Sequence, residues 1–197
     1  AVREYQSRDR RFGGVESALG AGSGQEEVVA IRVKPRDAAG EVEVDEGGVR
    51  YAVNPWRGQK TGAFLDQREN RVACRAYGCG RVLDAFSYHA SFALHAAPHA
   101  TEVVVVDASA EALARGRANA ERNGATNLTF VEANAFLDLR DRERRGERFD
   151  LVVLDPPAFA KSRGDVPAAR RGYKEINLRA LRLLAEMPDL VVDLADS

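Results

Sequence analysis

Apolar residues in this chain keep two rhythms, short continuous runs and helical spacing, and the two alternate. The run Glu102 to Asp107 (E-V-V-V-V-D) is unbroken and β-branched, the pattern of a parallel strand covered on both faces. Arg81 to Phe86, Leu128 to Glu132 and Phe149 to Asp155 read as further strands. Between them, Ser91 to His95 predicts a short helix. Ala110 to Asn123 predicts an alanine-rich one, with Ser109 as its N-cap and Gly124 as its stop. Tyr173 to Ala185 predicts another, with Ile176, Leu178, Leu181, Leu183 and Leu184 on its apolar side. Strand and helix in alternation, joined by right-handed crossovers, give an α/β fold with a doubly wound, mostly parallel sheet. Only Leu190 to Leu194 remains as strand material before Ser197, so the sheet is expected to be incomplete at its C-terminal end.

Upstream, Val28 to Val33 is strand-like, and Glu41 to Val44 with Val49 to Val53 reads as a hairpin around Glu46-Gly47-Gly48. Residues 1–25 are polar, glycine-spotted and arginine-rich, and predict no element. The expected organisation is a small β-rich N-terminal region, 1–55, and a main domain, 56–197.

Composition narrows the class. With 45% hydrophobic and 30% charged residues the chain reads as soluble and globular. No apolar run approaches a membrane span and the N-terminus carries no signal-peptide core, so the expected location is the cytoplasm. Two cysteines, Cys74 and Cys79, make neither a disulfide framework nor a metal quartet. The net charge of −1 excludes a uniformly basic nucleic-acid binder, but Lys161, Arg163, Arg170, Arg171, Lys174, Arg179 and Arg182 face only Asp165 and Glu175, a local excess of +5. Such a patch suits a phosphate-bearing substrate. Arg140 to Arg148, where acids alternate with bases, reads as an exposed connection.

The candidate chemistry sits where strands end. Ligands of open α/β sheets bind outside the carboxyl ends of the strands. The first strand contains Asp84 and leads into Phe86-Ser87-Tyr88-His89-Ala90-Ser91; the second ends at Asp107-Ala108-Ser109; the third leads to Asn134-Ala135-Phe136. Asp107 can accept both hydroxyls of a ribose, Asn134 can offer its amide to an adenine edge, and Phe136 can pack on the adenine face. No G-x-G-x-x-G and no Walker lysine motif follows any strand, which disfavours NAD and ATP and favours an adenosyl ligand without a pyrophosphate. S-adenosylmethionine fits that description. The fourth strand delivers Asp155-Pro156-Pro157-Ala158-Phe159, a proline-stiffened loop with an aromatic ring expected at its tip to grip a flat base. Upstream, Gly58 to Arg71 mixes glycine, cation, hydroxyl and aromatic. It reads as a clamp on the methionine end of the cofactor, with Lys60 or Arg68 near the carboxylate.

Taken together, G-Q-K-T-G-A-F-L-D-Q-R-E-N-R, V-L-D-A-F-S-Y, V-V-V-V-D-A-S, E-A-N-A-F and L-D-P-P-A-F-A-K-S resemble the class I S-adenosylmethionine-dependent methyltransferases with their Rossmann-like sheet. Within that class the chain is most similar, over about residues 40–185, to the 23S rRNA cytosine-C5 methyltransferase family. The resemblance implies cofactor contacts at Lys60, Thr61, Phe64, Asp84, Phe86, Ser87, Asp107, Ala108, Asn134, Ala135 and Phe136, with Arg68 and Ser109 beside them. It implies catalytic handling of the base by Asp155, Pro156, Pro157 and Phe159. It also implies RNA as partner, with Lys161, Arg163, Arg170, Arg171 and Lys174 on the phosphates. That family usually carries a preceding RNA-binding PUA domain, for which the β-rich lead-in leaves no room. His89-Ala90 replaces the usual Thr-Gly, making the loop bulkier, and Ala63 replaces a common aromatic.

Carbon 5 of cytosine becomes nucleophilic only after a thiolate adds to carbon 6. Cys74 and Cys79 precede the first strand, read as a buried helix residue and a turn residue, and neither is assignable to that role. The leading expectation is RNA cytosine-C5 methylation. The rivals are methylation of an exocyclic amine of RNA or DNA, which needs no thiol, a cofactor-binding module without catalysis, and a small-molecule methyltransferase. A homodimer is the expected oligomer.

Overall fold

The computed structural model describes residues 32–33, 41–54, 64–160, 162–185 and 190–193. In chain order the strands are β1 (Arg32–Val33), β2 (Val42–Glu46), β3 (Val49–Val53), β4 (Arg81–Ala85), β5 (Glu102–Asp107), β6 (Leu128–Glu132), β7 (Leu151–Leu154) and β8 (Leu190–Asp193). The α-helices are α1 (Arg68–Cys74), α2 (Ser91–Ala96), α3 (Ala110–Arg122), α4 (Ala135–Arg144) and α5 (Val166–Leu183).

The main sheet is parallel throughout, in the order β6-β5-β4-β7-β8. Its strands are apolar on both faces because helices cover both. Leu83, Ala85, Val104, Val106, Val152 and Leu154 meet Ala135 and Leu139 of α4 and Ile176, Ala180 and Leu183 of α5. The alternate residues Val82, Val103, Val105, Leu151 and Val153 pack with Ala93 and Ala96 of α2 and Leu113 of α3. The strand order reverses between β4 and β7, which is where ligands enter such sheets.

Two readings of the sequence are corrected here. The last helix begins at Val166, not Tyr173. Pro167 is tolerated in the first turn, where no N–H partner is needed, and a Ser162–Asp165 capping box starts the chain turning just upstream. Much of the segment read as an exposed connection, Arg140 to Arg148, is the latter half of α4. Its Arg142 is buried between Asp138 at 2.6 Å and Glu147 at 2.8 Å. Mutual neutralisation lets a charged helix face turn inward, which residue counting reads as polarity.

The hairpin turns at Gly47 (φ 57°) and Gly48 (φ 87°), two successive left-handed positions of the kind a tight hairpin demands. Val44, Val49, Tyr51 and Val53 close over Leu94 and Ala120. Asn119 of α3 and Asn123 at its C-cap accept from the backbone N–H groups of Ala52 and Arg50 at 3.0 and 2.8 Å, closing the strand edge. Of the expected strand from Val28 to Val33, only Arg32–Val33 falls within the described residues.

Glu46 at the end of β2 is fully buried and carries a network. Arg71 of α1 grips it bidentately at 2.7 and 2.8 Å, Tyr51 donates at 2.9 Å, and His95 of α2 lies at 3.0 Å. Arg75 donates to His95 Nδ1 at 2.9 Å, so the neutral ring gives its Nε2 proton to Glu46. Burial alone would raise the Glu46 carboxyl, but the hydrogen bonds from Arg71 and His95 and the charge of Arg71 outweigh it and hold it at about 2.

Replacing Glu46 with Gln leaves the Arg71 guanidinium buried without its counter-charge. It is expected to lower unfolding free energy by roughly 3–5 kcal/mol in urea titration. Because the folded carboxyl sits below its unfolded value, the parent's advantage over the variant is complete above about pH 5. It should fade as pH falls toward 2. A gap independent of pH would contradict this account.

Candidate functional site

Register brings the strand ends together. Ala85 pairs with Val106 on one side and Leu154 on the other, and Asp107 pairs with Glu132. The segments after β4, β5, β6 and β7 therefore leave one edge of the sheet. The side chains singled out in the sequence from Asp84, Asp107, Asn134 and Asp155 all belong to this rim.

Asp84 stands one residue inside it, fully buried, with its side chain on the α2 face. Its Oδ2 accepts from the N–H of Ala93, in the first turn of α2, at 3.0 Å. Among the described residues Oδ1 has no partner, and neither does Oγ of Ser87 in the loop that follows; both atoms are buried. Burial pushes the Asp84 carboxyl up to about 8, with repulsion from Asp155 and Asp107 adding to it.

The loop after β4 turns through three non-glycine residues with positive φ: Phe86 (64°), Tyr88 (51°) and Ala90 (65°). Such positions are strained and persist only where neighbours hold them. Ser87 donates its N–H to Val106 at 3.1 Å, and Tyr88 donates to Asp107 Oδ2 at 2.8 Å. The bulk of His89 is absorbed under the hairpin, where its ring stacks on Tyr51 at 5.2 Å and burial lowers its pKa to about 4. Gly116 of α3 is needed here, because a Cβ on it would lie 2.8 Å from Phe130 and 3.2 Å from Ala90.

Asp107 takes a second N–H, from Ser109 at 2.8 Å on Oδ1, so both oxygens are oriented and each keeps a lone pair. Ala108 and Ser109 are exposed, and the Ser109 hydroxyl caps α3 by accepting from Ala112 at 3.2 Å. Asn134 caps α4 in the same way, its Oδ1 accepting from Phe136 and Leu137 at 3.0 and 3.4 Å, which leaves the amide nitrogen facing outward from that cap. Ala135 is buried in the core, while Phe136 is half-buried.

Phe159 is not a free tip, which corrects the sequence reading. Its ring stacks on Tyr173 at 4.4 Å and meets Phe136 at 5.4 Å and Phe86 at 6.4 Å. Apolar area drives the ring back onto the core, and it forms a wall of the rim. Pro156 is buried and Pro157 exposed; Asp155 is half-buried between them and β7.

Of the proposed clamp, Phe64 meets Tyr88 edge-on at 5.6 Å, and its carbonyl accepts from Arg71 at 2.8 Å. Arg68 is half-buried, beside Glu69 at 3.7 Å, with its buried Nε unpartnered among the described residues. Lys60, Thr61 and Lys161, and the side chain of Arg163, lie outside the described residues. Arg170, Arg171 and Lys174 are exposed on the first half of α5. Arg179 and Arg182, counted with the basic patch, instead brace α5 to α4 through Glu143 at 2.7 and 2.8 Å. Sequence reasoning missed Tyr173 and Arg115, whose guanidinium lies over the Tyr88 ring at 5.2 Å. Tyr173 had one usable signal, its helical spacing with Ile176 and Ala180.

Among the described residues no group of three or more His, Cys, Asp or Glu could hold a metal ion, and no helix is long and apolar enough to cross a membrane.

Residues 17–196 match the family model described as S-adenosylmethionine-dependent methyltransferase. The chain is 46% identical over 148 residues to ribosomal RNA large subunit methyltransferase I of Aeromonas salmonicida, covering 73% of this chain and 37% of that one. It is 44% identical over 147 residues to the protein of that name from Photobacterium profundum, with the same coverage. The chain thus spans little more than a third of the length of these relatives. Among solved structures, the SMU.776 methyltransferase complexed with SAH superposes with a TM-score of 0.66 at 28% identity, covering 78% of this chain and 41% of that one.

The orphaned carboxylate gives a direct test of the rim's electrostatics. Asp84→Asn keeps an acceptor for Ala93 but cannot ionise. Since the folded Asp84 titrates far above its unfolded value, folding retains a proton, and the parent loses stability as pH rises from about 4 to about 8. The melting temperature of the variant should therefore gain on the parent across that window. A difference that stays constant from pH 4 to 8 would show that Asp84 is solvated.

Proposed function

The chain belongs to the S-adenosylmethionine-dependent methyltransferase family, and from that premise we propose that it binds S-adenosylmethionine at this rim and methylates a base of large-subunit ribosomal RNA. The observation that carries the reading is the convergence of four strand ends on one edge, with two buried oxygens there, Asp84 Oδ1 and Ser87 Oγ, that nothing among the described residues satisfies. Buried polar groups without partners are uncommon and mark places where a ligand completes the structure. These residues fit a cationic amino-acid moiety beside an adenosyl group.

In this reading Asp107, its two oxygens already oriented by backbone N–H groups, accepts the ribose hydroxyls. The outward amide of Asn134 donates to the adenine edge, and Phe136 packs on the adenine face. Ala108, Ser109 and Ala135 line the adenosyl site with backbone and small side chains, and Phe64 closes it from the clamp side. When bound, the cofactor supplies an electrophilic methyl group. The chain's own work is to present the acceptor. A stacked base cannot reach the rim, so the target nucleotide is taken unstacked from RNA. Asp155 accepts a hydrogen bond from its exocyclic amine. Pro156 and Pro157 fix the backbone that follows Asp155. Phe159 forms the wall against which the base lies, and Arg170, Arg171 and Lys174 hold its phosphates.

The finer reading is carbon 5 of a cytosine in 23S ribosomal RNA. It requires a thiolate at carbon 6, a role that neither cysteine of this chain is placed to take. Cys74 is buried at the end of α1, with burial pushing its thiol up to about 12, and Cys79 is exposed just before β4, at the amino edge of the sheet. A second reading is transfer to an exocyclic amine, which needs no thiol. Mass spectrometry of modified nucleosides separates 5-methylcytidine from N-methylated bases.

Asp155→Ala should abolish methyl transfer while leaving cofactor affinity intact; normal turnover in that variant would remove the loop from the mechanism. Asp107→Ala should weaken cofactor binding by calorimetry roughly 10- to 100-fold, the worth of a charge-assisted hydrogen bond. Replacing Arg170, Arg171 and Lys174 together by Ala should reduce the slope of log RNA affinity against log salt by about 2, at roughly 0.7 per phosphate contact.

A further inference from the structure

We propose that Tyr173 is a positioning residue that latches the Asp155–Phe159 loop, through its ring and its hydroxyl, in the shape that receives the target base. The inference rests on the proposed function for the identity of the base-binding loop, but the contact itself stands apart from it. The hydroxyl of Tyr173 accepts the backbone N–H of Phe159 at 3.3 Å, while the two rings stack at 4.4 Å with 30° between their planes. One side chain thus holds both the main chain and the side chain of the same residue.

The loop's first residue, Asp155, donates to Ala85 at a long 3.4 Å, and Pro156 and Pro157 donate nothing. Tyr173 supplies an acceptor just after the point where the strand's own hydrogen bonds stop. It can do so because its helix cannot shift. Ile176 and Ala180, on the same face at helical spacing, are fully buried in the core. The preceding residue completes the fit: a Cβ on Gly172 would stand 3.2 Å from the Phe159 ring and 3.7 Å from Phe136. With glycine there, the ring lies against the helix and still reaches Phe136 at 5.4 Å.

The placement on α5 adds a functional consequence. Arg170, Arg171 and Lys174 are exposed on the turns that carry Tyr173 inward. The helix segment that meets phosphates on its outer face therefore holds the base loop on its inner face. The latch makes the two a single rigid unit, so that docking the backbone fixes where the base must enter. Preorganisation of this kind acts on the productive geometry of a bound substrate more than on cofactor affinity.

The test uses Tyr173→Phe, which keeps the stack and removes the acceptor, Tyr173→Ala, which removes both, and Leu181→Ala on the exposed face of α5 as control. Three measurements are made: hydrogen exchange of the Phe159 amide, steady-state kinetics on ribosomal RNA, and SAH binding by calorimetry. Expected for Tyr173→Phe are faster exchange at Phe159 and a KM for RNA raised about 3- to 10-fold, the range of one neutral hydrogen bond. Tyr173→Ala should lower kcat about 100-fold with SAH affinity changed by no more than about twofold. Leu181→Ala should match the parent. Unchanged exchange in Tyr173→Phe overturns the latch. Altered exchange with unaltered kinetics in both variants overturns the positioning role. An equal loss of SAH affinity and turnover overturns it as well, since a general loss of structure would do the same. If the parent transfers no methyl group, the proposed function fails, and the exchange measurement alone then decides the latch.

Discussion

Parallel pairing in a single register is the constraint on which the rest of this molecule depends. Side chains in a strand alternate between faces, so a slip of one residue would exchange the two faces of a strand. Val103 and Val105 would then trade places with Val104 and Val106, and Asp84 would leave the α2 face for the α4 and α5 side. Because both faces are apolar, the core alone would tolerate such a slip at moderate loss. The polar residues would not. Asp84 must meet the N–H of Ala93, and Asp107 must meet those of Tyr88 and Ser109, and these contacts exist in one register only. The same few carboxylates that furnish the rim also specify the sheet.

The rim is built from groups that have a structural task and retain capacity beyond it. Ser109 and Asn134 cap the helices behind them, while Asp107 pins a loop with three left-handed residues. Asp84 is the exception, buried with one oxygen unsatisfied and two other carboxylates near enough to repel it. Such a group opposes folding at neutral pH and is at home only beside a cation. In the proposed function, a bound sulfonium cofactor would relieve it.

Two features upstream and downstream fix the walls of this rim. On one side, Glu46, Arg71 and His95 tie the N-terminal hairpin to α1 and α2 in one buried network, and Arg71 uses its remaining nitrogen to hold the carbonyl of Phe64. The hairpin is thereby joined to Phe64, whose ring meets Tyr88 of the loop after β4. On the other side, α5 divides its cations by task. Arg179 and Arg182 brace α4 through Glu143, whereas Arg170, Arg171 and Lys174 remain exposed beside the proline loop. Counting charge along the chain merges these groups, and only their partners distinguish them.

Much of this architecture was legible in the residue order. The unbroken run Glu102–Asp107, the cap at Ser109 and the hairpin glycines Gly47 and Gly48 act through neighbours within a few positions, and local physics reads them directly. The sequence by itself determined the alternation of strand and helix, the acidic and amide residues at strand ends, and the likeness to a methyltransferase family. Tertiary structure alone decided which charges are neutralised, as for Arg142 and the Glu46 network, because their partners lie across the fold or on a face that composition cannot orient. It alone turned Phe159 inward, since the ring's fate depends on Tyr173, Gly172 and Phe136 meeting it from two helices. Short-range preferences are written into the chain one neighbour at a time; burial and pairing are properties of the closed packing and exist only once distant segments have met.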